Sequence, residues 1–275
     1  MEKNKYTAVV ILNFNNVENT ISCIDSLKKY NSAHIKLIVV DNGSTREGCV
    51  ERLVNYSKNK FSSEFSFAAP GETLKTPLSI YTLVLNPSNE GYARGNNIGL
   101  RLAFQDEYID SVLILNNDIL FVEDIIPKLS RYYSNIKNCG CISPMLLNAK
   151  GEIDYCCARK EASFSEILLR KLFMNHLADL VSEKRYILKK MREPYPELIE
   201  VELTSGSCLF MNKQVLALMG GLDSNTFLYY EENIINAKLK QQMLHNFKGT
   251  TINKEDSYQN LILNFIDRSI FFIKI

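Results

Sequence analysis

Asp118 ends an apolar run, Leu113-Ile-Leu-Asn-Asn-Asp118. A carboxylate in that place is costly unless something uses it. In open α/β sheets ligands bind beyond the carboxyl ends of the strands. Asp118 is therefore expected to face a cleft and to hold a metal ion there. A divalent cation bridging two phosphates needs only one or two protein carboxylates, because phosphate oxygens and water complete its shell. Capping of the helix that follows is the plainer use of the same residue types. Two further strand ends, Asn13–Asn16 and Asp41–Ser44, repeat the pattern. Short polar side chains there suit a base edge or ribose hydroxyls, and Asn16 and Ser44 equally suit helix caps and turns.

Other clusters carry different chemistry. In Asn86-Pro-Ser-Asn-Glu-Gly-Tyr-Ala-Arg-Gly-Asn-Asn97, Gly91 and Gly95 let backbone approach a ligand. The helix start supplies amide donors for an anion, and Arg94 adds a fork for phosphate. The spacing is neither GxGxxG nor a P-loop, and close helix–sheet packing explains the glycines as well. Glu231 and Glu232 follow the aromatic run Phe227-Leu-Tyr-Tyr230. Aromatic surroundings raise a carboxyl pKa toward that of a general base, although acidic residues also simply favour a helix start. His245 is a lone histidine, more commonly structural, with metal or phosphate ligation as the sharper reading.

These residues need a frame. Near-continuous apolar runs predict strands at 6–12, 35–40, 80–85 and 111–115, with a short one near 139–143. Apolar spacing predicts helices at 17–30, 46–59, 91–105 and 122–133. Residues 61–79, rich in Ser, Phe, Pro and Gly, read as an irregular insertion. Such alternation argues a parallel sheet with right-handed crossovers. After Pro144 the rhythm breaks. Residues 160–192 are mostly helix formers, stopped by Pro194 and Pro196. A strand containing Thr204-Ser205-Gly206-Ser207 is expected over 200–211, a short helix at 213–219, and a helix entered from aromatic sequence at 227–241. The remainder reads as a tail.

The 275 residues suffice for one large α/β domain or a domain with an appended subdomain. A net charge of +1 makes no case for nucleic acid. Residues 159–192, however, hold nine Lys/Arg against four Asp/Glu. Phe164, Ile167, Leu168, Leu172 and Phe173 interleave with Arg170 and Lys171. That pattern suits an anionic membrane or a lipid-diphosphate acceptor. The plainer reading is a helix packed on the core with its basic face in solvent. Seven cysteines without metal-like spacing are expected to be free thiols in a reducing cytosol. The charged N-terminus is not expected to act as a signal peptide, and no apolar run approaches the ~18 residues of a membrane span.

Six segments in order resemble a family 2 glycosyltransferase of the inverting GT-A type. They are Val10–Asn16, Val39–Thr45, Asn89–Asn97, Leu113–Asp118, Gly206–Phe210 and Phe227–Glu232. The resemblance covers roughly residues 6–250 and is nearest in style to rhamnosyl- and galactosyltransferase-like enzymes of bacterial surface polysaccharide assembly. It implies an α/β GT-A fold: a Rossmann-like, mostly parallel central sheet flanked by helices, with a helical acceptor-side segment. Residues 1–143 would form the nucleotide-sugar half, 144–250 the acceptor and catalytic half of the same domain, and 251–275 a tail. Asp41 would contact the nucleotide, with Asn13, Asn15, Asn42, Gly91, Arg94, Asn96 and Asn117 around it. Asp118 would bind Mg2+ or Mn2+, and His245 would match a late histidine near the diphosphate. Thr204, Ser205, Gly206 and Ser207 would line the acceptor side. Glu232, with Glu231 as its neighbour, would stand at the base position.

The chain departs from that pattern in three places. Asn116 and Asn117 leave the metal motif one carboxylate. The base position carries Glu in place of Asp, a longer arm in a reaction that depends on placement. The stretch before His245 is shorter than relatives usually have. The activity implied is metal-dependent transfer of a sugar from a UDP- or dTDP-sugar to a glycan or lipid-linked hydroxyl, in the cytoplasm, with peripheral contact at the inner face of the plasma membrane through 159–192. A nucleotidyltransferase would want a glycine-rich or basic loop after the first strand, and Asn13–Val17 has neither. A degenerate nucleotide-sugar-binding scaffold is the non-enzyme alternative.

Overall fold

Apolar runs with β-branched residues lie at the centre of the main sheet, as strands buried on both faces must. In the computed structural model these are β1 (Tyr6–Asn13) and β2 (Ile35–Asn42), followed by β3 (Phe65–Ala68), β4 (Tyr81–Asn86), β5 (Ile109–Asn116), β6 (Ile119–Leu120) and β7 (Cys139–Pro144). The chain continues through β8 (Leu146–Asn148), β9 (Ala158–Arg159), β10 (Leu198–Val201), β11 (Leu203–Thr204), β12 (Cys208–Asn212), β13 (Gln259–Leu263) and β14 (Phe272–Lys274). The helices are α1 (Val17–Tyr30), α2 (Cys49–Phe61), α3 (Gly91–Gln105), α4 (Ile126–Asn135), α5 (Phe164–Lys171), α6 (Asn175–Ser182), α7 (Lys213–Leu218) and α8 (Glu231–Asn246). The structure describes residues 5–30, 34–136, 139–192, 195–228, 230–246, 259–263 and 272–274; side chains of 241–246 and of the last two strands are not described.

Among the described residues the main sheet has nine strands in the order β10-β13-β7-β12-β5-β1-β2-β4-β3. From β3 to β5 all neighbours are parallel, and β12 then enters antiparallel to β5. Side-chain alternation divides the core in two. Val9, Ile11, Val39, Leu113 and Leu115 face α1, α2 and α4. Ala8, Val10, Ile38, Val112 and Ile114 face α3, α7 and α8. Gly99 lets α3 lie on β1, since a Cβ there would come 2.7 Å from Val10 Cγ1.

The main strands and helices fall where the periodicity predicts. Four segments differ. The single strand expected over 200–211 is three short ones, β10, β11 and β12, and Ser205-Gly206-Ser207 form a turn between the last two. The stretch read as an irregular insertion contains β3, whose short Phe-Ser-Phe-Ala run is stabilised by pairing with β4. The helix-forming segment 160–192 is two short helices with a break at Leu172–Met174, where Phe173 has φ 57°. Of the expected tail, β13 pairs with β10 and β7, and β14 with β6 and β8. These pairings are far apart in the chain, and local periodicity carries no sign of them.

Candidate active site

Strand register brings the polar strand ends to one rim. Asn13 pairs with Asp41 across β1 and β2, Leu12 with Asn116 across β1 and β5, and Asn42 with Asn86 across β2 and β4. Because β12 is antiparallel to β5, its beginning reaches the same rim, where the Asn116 N–H donates to the Ser207 carbonyl at 2.9 Å. Ser207 therefore stands beside Asn116, while Thr204 pairs with Ala158 across β11 and β9.

At the β1–β2 end the candidate side chains bind one another. Asp41, 1% exposed, accepts from Asn13 Nδ2 (2.6 Å), Ser44 Oγ (2.6 Å) and the Ser44 N–H (3.0 Å). Asn13 Oδ1 accepts from the Thr20 hydroxyl at 2.7 Å, and Asn117 Nδ2 donates to that hydroxyl at 3.0 Å. Asn15, at φ 54°, accepts from the Thr45 and Arg46 N–H groups, each at 2.7 Å. These residues form a hydrogen-bonded floor, buried at Asn13, Thr20 and Asp41, that fixes the loops after both strands.

The turn into α3 is fastened to the same floor. Asn42 Nδ2 donates to Asn89 Oδ1 and the Gly91 carbonyl, and Asn42 Oδ1 accepts from Asn86 Nδ2. Gly95 packs on Leu12, so helix–sheet contact accounts for it. Gly91 has φ 84° and lies against Phe227, whose carbonyl accepts from the Tyr92 N–H at 2.7 Å. A Cβ at Gly91 would meet that carbonyl and come 2.7 Å from Phe227 Cδ2. Gly91→Ala is expected to cost about 1–3 kcal/mol in urea unfolding, because it adds positive-φ strain and a backbone clash. Arg94 is exposed and donates to the Ser224 carbonyl at 2.8 Å. Asn96 is buried and donates to the Tyr92 carbonyl, while Asn97 holds Leu222 through both its amide atoms.

A pocket of about 240 Å³ opens on the β5–β12 side of the rim. Asn116, Ser205, Gly206, Ser207, Glu231 and Glu232 line it, so three of the four expected acceptor residues meet both base candidates here, and Thr204 does not line it. Asp41 and its partners do not line this pocket. Glu232 Oε1 accepts from the Gly206 N–H at 3.0 Å and lies 3.5 Å from Arg159 Nη2. A side chain at Gly206 would press on that carboxylate, its Cβ 3.1 Å from Oε1. Glu231 is buried at the start of α8.

Tyr92, Arg159 and Asp154 also line the pocket, and the sequence analysis assigned none of them to the site. Burial, then the charges of Glu231 and Glu232, push the Tyr92 phenol above its ordinary pKa. Its hydroxyl donates to the Gly206 carbonyl at 2.9 Å. Tyr92 stood inside the noted glycine turn. Arg159 was counted only as part of a basic run, and the antiparallel pairing of β9 with β11 brings it in.

Asp118 is half-buried just past β5. Burial, then the Asp118 charge, raises the Cys23 thiol on α1. Among the described residues no cluster of three His, Cys, Asp or Glu could hold a metal ion by itself. A buried amide oxygen, Asn116 Oδ1, lacks a hydrogen-bond partner among the described residues. Two hard oxygen donors two positions apart fit a divalent cation whose shell is completed by diphosphate and water. The His245 side chain lies outside the described residues. All seven cysteines are free, and no helix among the described residues is long and apolar enough to cross a membrane.

Residues 8–145 match the family described as Glycosyl transferase family 2. Over 144 residues the chain is 28% identical to the low-salt glycan biosynthesis hexosyltransferase Agl10 of Haloferax volcanii. That alignment covers 52% of this chain and 41% of the relative. Among solved structures, GalNAc-T7 with UDP, GalNAc and Mn2+ superposes with a TM-score of 0.58 at 13% identity, covering 96% of this chain and 45% of that one. Residues 1–349 of TarS from S. aureus, in complex with UDP, superpose at 0.55 and 12% identity, covering 98% and 60%. The chain thus spans less than half the length of the curated relative. The fold shared with these structures is GT-A.

Proposed function

The chain belongs to glycosyl transferase family 2, and from that premise we propose that it moves a sugar from a nucleoside-diphosphate sugar to an acceptor hydroxyl, with inversion at the anomeric carbon. The observation that carries this reading is the placement of Glu232. Its carboxylate stands in a pocket across from the end of β5, held by the Gly206 N–H and Arg159.

In this mechanism Glu232 takes the proton of the acceptor hydroxyl, with Glu231 beside it. The hydroxyl oxygen bonds to the anomeric carbon as the bond to the nucleoside diphosphate breaks on the opposite face. The electron pair leaves with the diphosphate. Arg159 and the Gly206 N–H orient the base, and Thr204–Ser207 line the acceptor side. Asn13, Asn15, Asp41, Asn42, Gly91, Arg94, Asn96 and Asn117 form the nucleotide side. Asp118 and Asn116 Oδ1, joined by His245, are the groups to hold Mg2+ or Mn2+. When bound, the ion neutralises charge growing on the leaving diphosphate.

The neighbours crystallised with UDP, one of them also with Mn2+, support a UDP- or dTDP-sugar and a divalent cation. The acceptor is read as a glycan or a lipid-linked hydroxyl, met at the inner face of the plasma membrane by a cytoplasmic, peripheral enzyme. Residues 1–143 serve the donor and 144–250 the acceptor.

Thermal unfolding with UDP-, dTDP- and GDP-sugars, with and without Mn2+, tests this. A donor at a hundred times its Kd stabilises the native state by about 2.7 kcal/mol. UDP- or dTDP-sugars are expected to raise Tm, more so with Mn2+. Asp118→Asn is expected to remove the Mn2+ increment and keep the fold. Absence of a shift with every nucleotide sugar would overturn the reading, and binding without turnover would make the chain a scaffold.

A further inference from the structure

Residues 164–180 have their polarity inside out. Within this α5–α6 hairpin the buried residues are Glu166 and Ala178. Glu166 is 3% exposed and takes Arg185 at 3.3 Å and Arg170 at 3.5 Å. The apolar side chains point the other way. Phe164 is 79% exposed, Phe173 90%, and Leu172, Leu177 and Leu180 are all exposed. A helix packed on the core with a solvated basic face would show the reverse. The expectation that this segment lays its apolar side on the core is thus not met. Exposed apolar surface on this scale calls for a covering.

Charge identifies the covering. Residues 159–192 carry five more positive than negative side chains. Lys171, Lys184 and Lys190 form no ion pair among the described residues. A second copy would bring like charges together, whereas an anionic bilayer takes both the apolar side chains and the lysines. We propose that the α5–α6 hairpin is a docking element for an anionic bilayer surface, with Phe164, Leu172, Phe173, Leu177 and Leu180 entering the lipid and Lys171, Lys184 and Lys190 on its headgroups. Four residues separate Arg159, on the pocket wall, from the start of α5. Docking therefore holds the acceptor side of the pocket near the membrane and favours a lipid-linked acceptor. Only that last step rests on the glycosyltransferase reading.

Co-sedimentation of the full chain with vesicles tests the docking without donor or acceptor. Vesicles of equimolar phosphatidylcholine and phosphatidylglycerol are expected to carry the protein down, and phosphatidylcholine alone to carry far less. Salt at about 0.5 M is expected to weaken binding, because it screens the lysines. F173D is expected to lower the partition coefficient at least about tenfold, since one phenylalanine no longer enters lipid. Both phenylalanines are exposed, so F164D and F173D keep the native circular dichroism and the nucleotide-sugar thermal shift. Equal partition into both vesicle types, or no loss in F164D/F173D, would overturn the proposal. So would a lipid-free dimer that F173D converts to monomer, which would give the face to a second copy.

Discussion

Glu232→Gln lowers the rate of sugar transfer by about 10²–10⁴-fold and leaves nucleotide-sugar affinity unchanged, as loss of a general base requires. The amide is nearly isosteric. Its oxygen still accepts from the Gly206 N–H, which holds Glu232 Oε1 at 3.0 Å in the native chain. The 205–207 loop, Tyr92 and its bond to the Gly206 carbonyl therefore keep their places. What is lost is the capacity to take a proton, together with the charge that pairs with Arg159. Because the affected step is chemical, kcat falls while KM for the donor stays. Steady-state kinetics with Glu231→Gln in parallel separates the two carboxylates. Full turnover in Glu232→Gln with loss in Glu231→Gln would move the base to Glu231. Glu231 is the more buried of the two, so its substitution is also expected to cost stability.

The second large effect lies at the opposite rim. Asp106→Ala is expected to cost about 3–5 kcal/mol, because it strands a buried ammonium. Lys36 and Asp106 form an ion pair of 2.6 Å, with side chains 5% and 0% exposed. Asp106 also accepts from the Leu78 N–H at 2.8 Å and the Tyr108 N–H at 3.0 Å. Lys36 lies over the rings of Tyr6 and Tyr108, which do not replace a carboxylate. Urea denaturation reads the loss directly. Replacing the pair together by Lys36→Met and Asp106→Asn is expected to recover much of it, since no buried charge remains and the amide oxygen still accepts from a backbone donor. Burial pushes the Asp106 carboxyl up, but the Lys36 hydrogen bond and the two backbone donors outweigh it, and its pKa lies below the ordinary value. A folded-state pKa that is depressed gives stability above the unfolded carboxylate pKa. That stability is lost as pH falls through the folded value. The native chain is therefore expected to lose stability in acid, and Asp106→Ala to lose less. Donor binding in the folded variant should be unchanged, because the candidate site is at the other end of the strands.

The sequence made the inner frame legible for a physical reason. Parallel strands buried on both faces must be apolar throughout, and Tyr6–Asn13 and Ile35–Asn42 announce themselves by that run. Their polar ends are equally plain, and register places Asn13, Asp41 and Asn116 on one rim. The identities of the partners were not legible. Gly91 and Gly95 read as room for a ligand, yet the space beside them is filled by Phe227 and Leu12. Asp41 read as a nucleotide contact, and nothing in the local sequence told that Asn13 and Ser44 would also hold its carboxylate. Arg159 reaches Glu232 through a two-residue strand, too short to leave a periodic signal. β13 and β14 owe their form to distant partners, and each is a short run indistinguishable from a loop on local pattern.

The floor beneath the rim has a direction. Asn117 donates to Thr20, Thr20 to Asn13, and Asn13 to Asp41. Every dipole in this chain points its hydrogen toward the same carboxylate, so one negative charge aligns three segments of backbone like a compass. An amide has no shape preference between its oxygen and its nitrogen; here the charge at Asp41 selects one orientation for Asn13, and Asn13 selects the next. If that charge were neutralised, the amides would lose their reason to face one way. The strands would stay folded, but the rim would present a mixture of donor and acceptor patterns in place of one. A single orientation of the rim's amides, more than stability, is what the buried carboxylate secures.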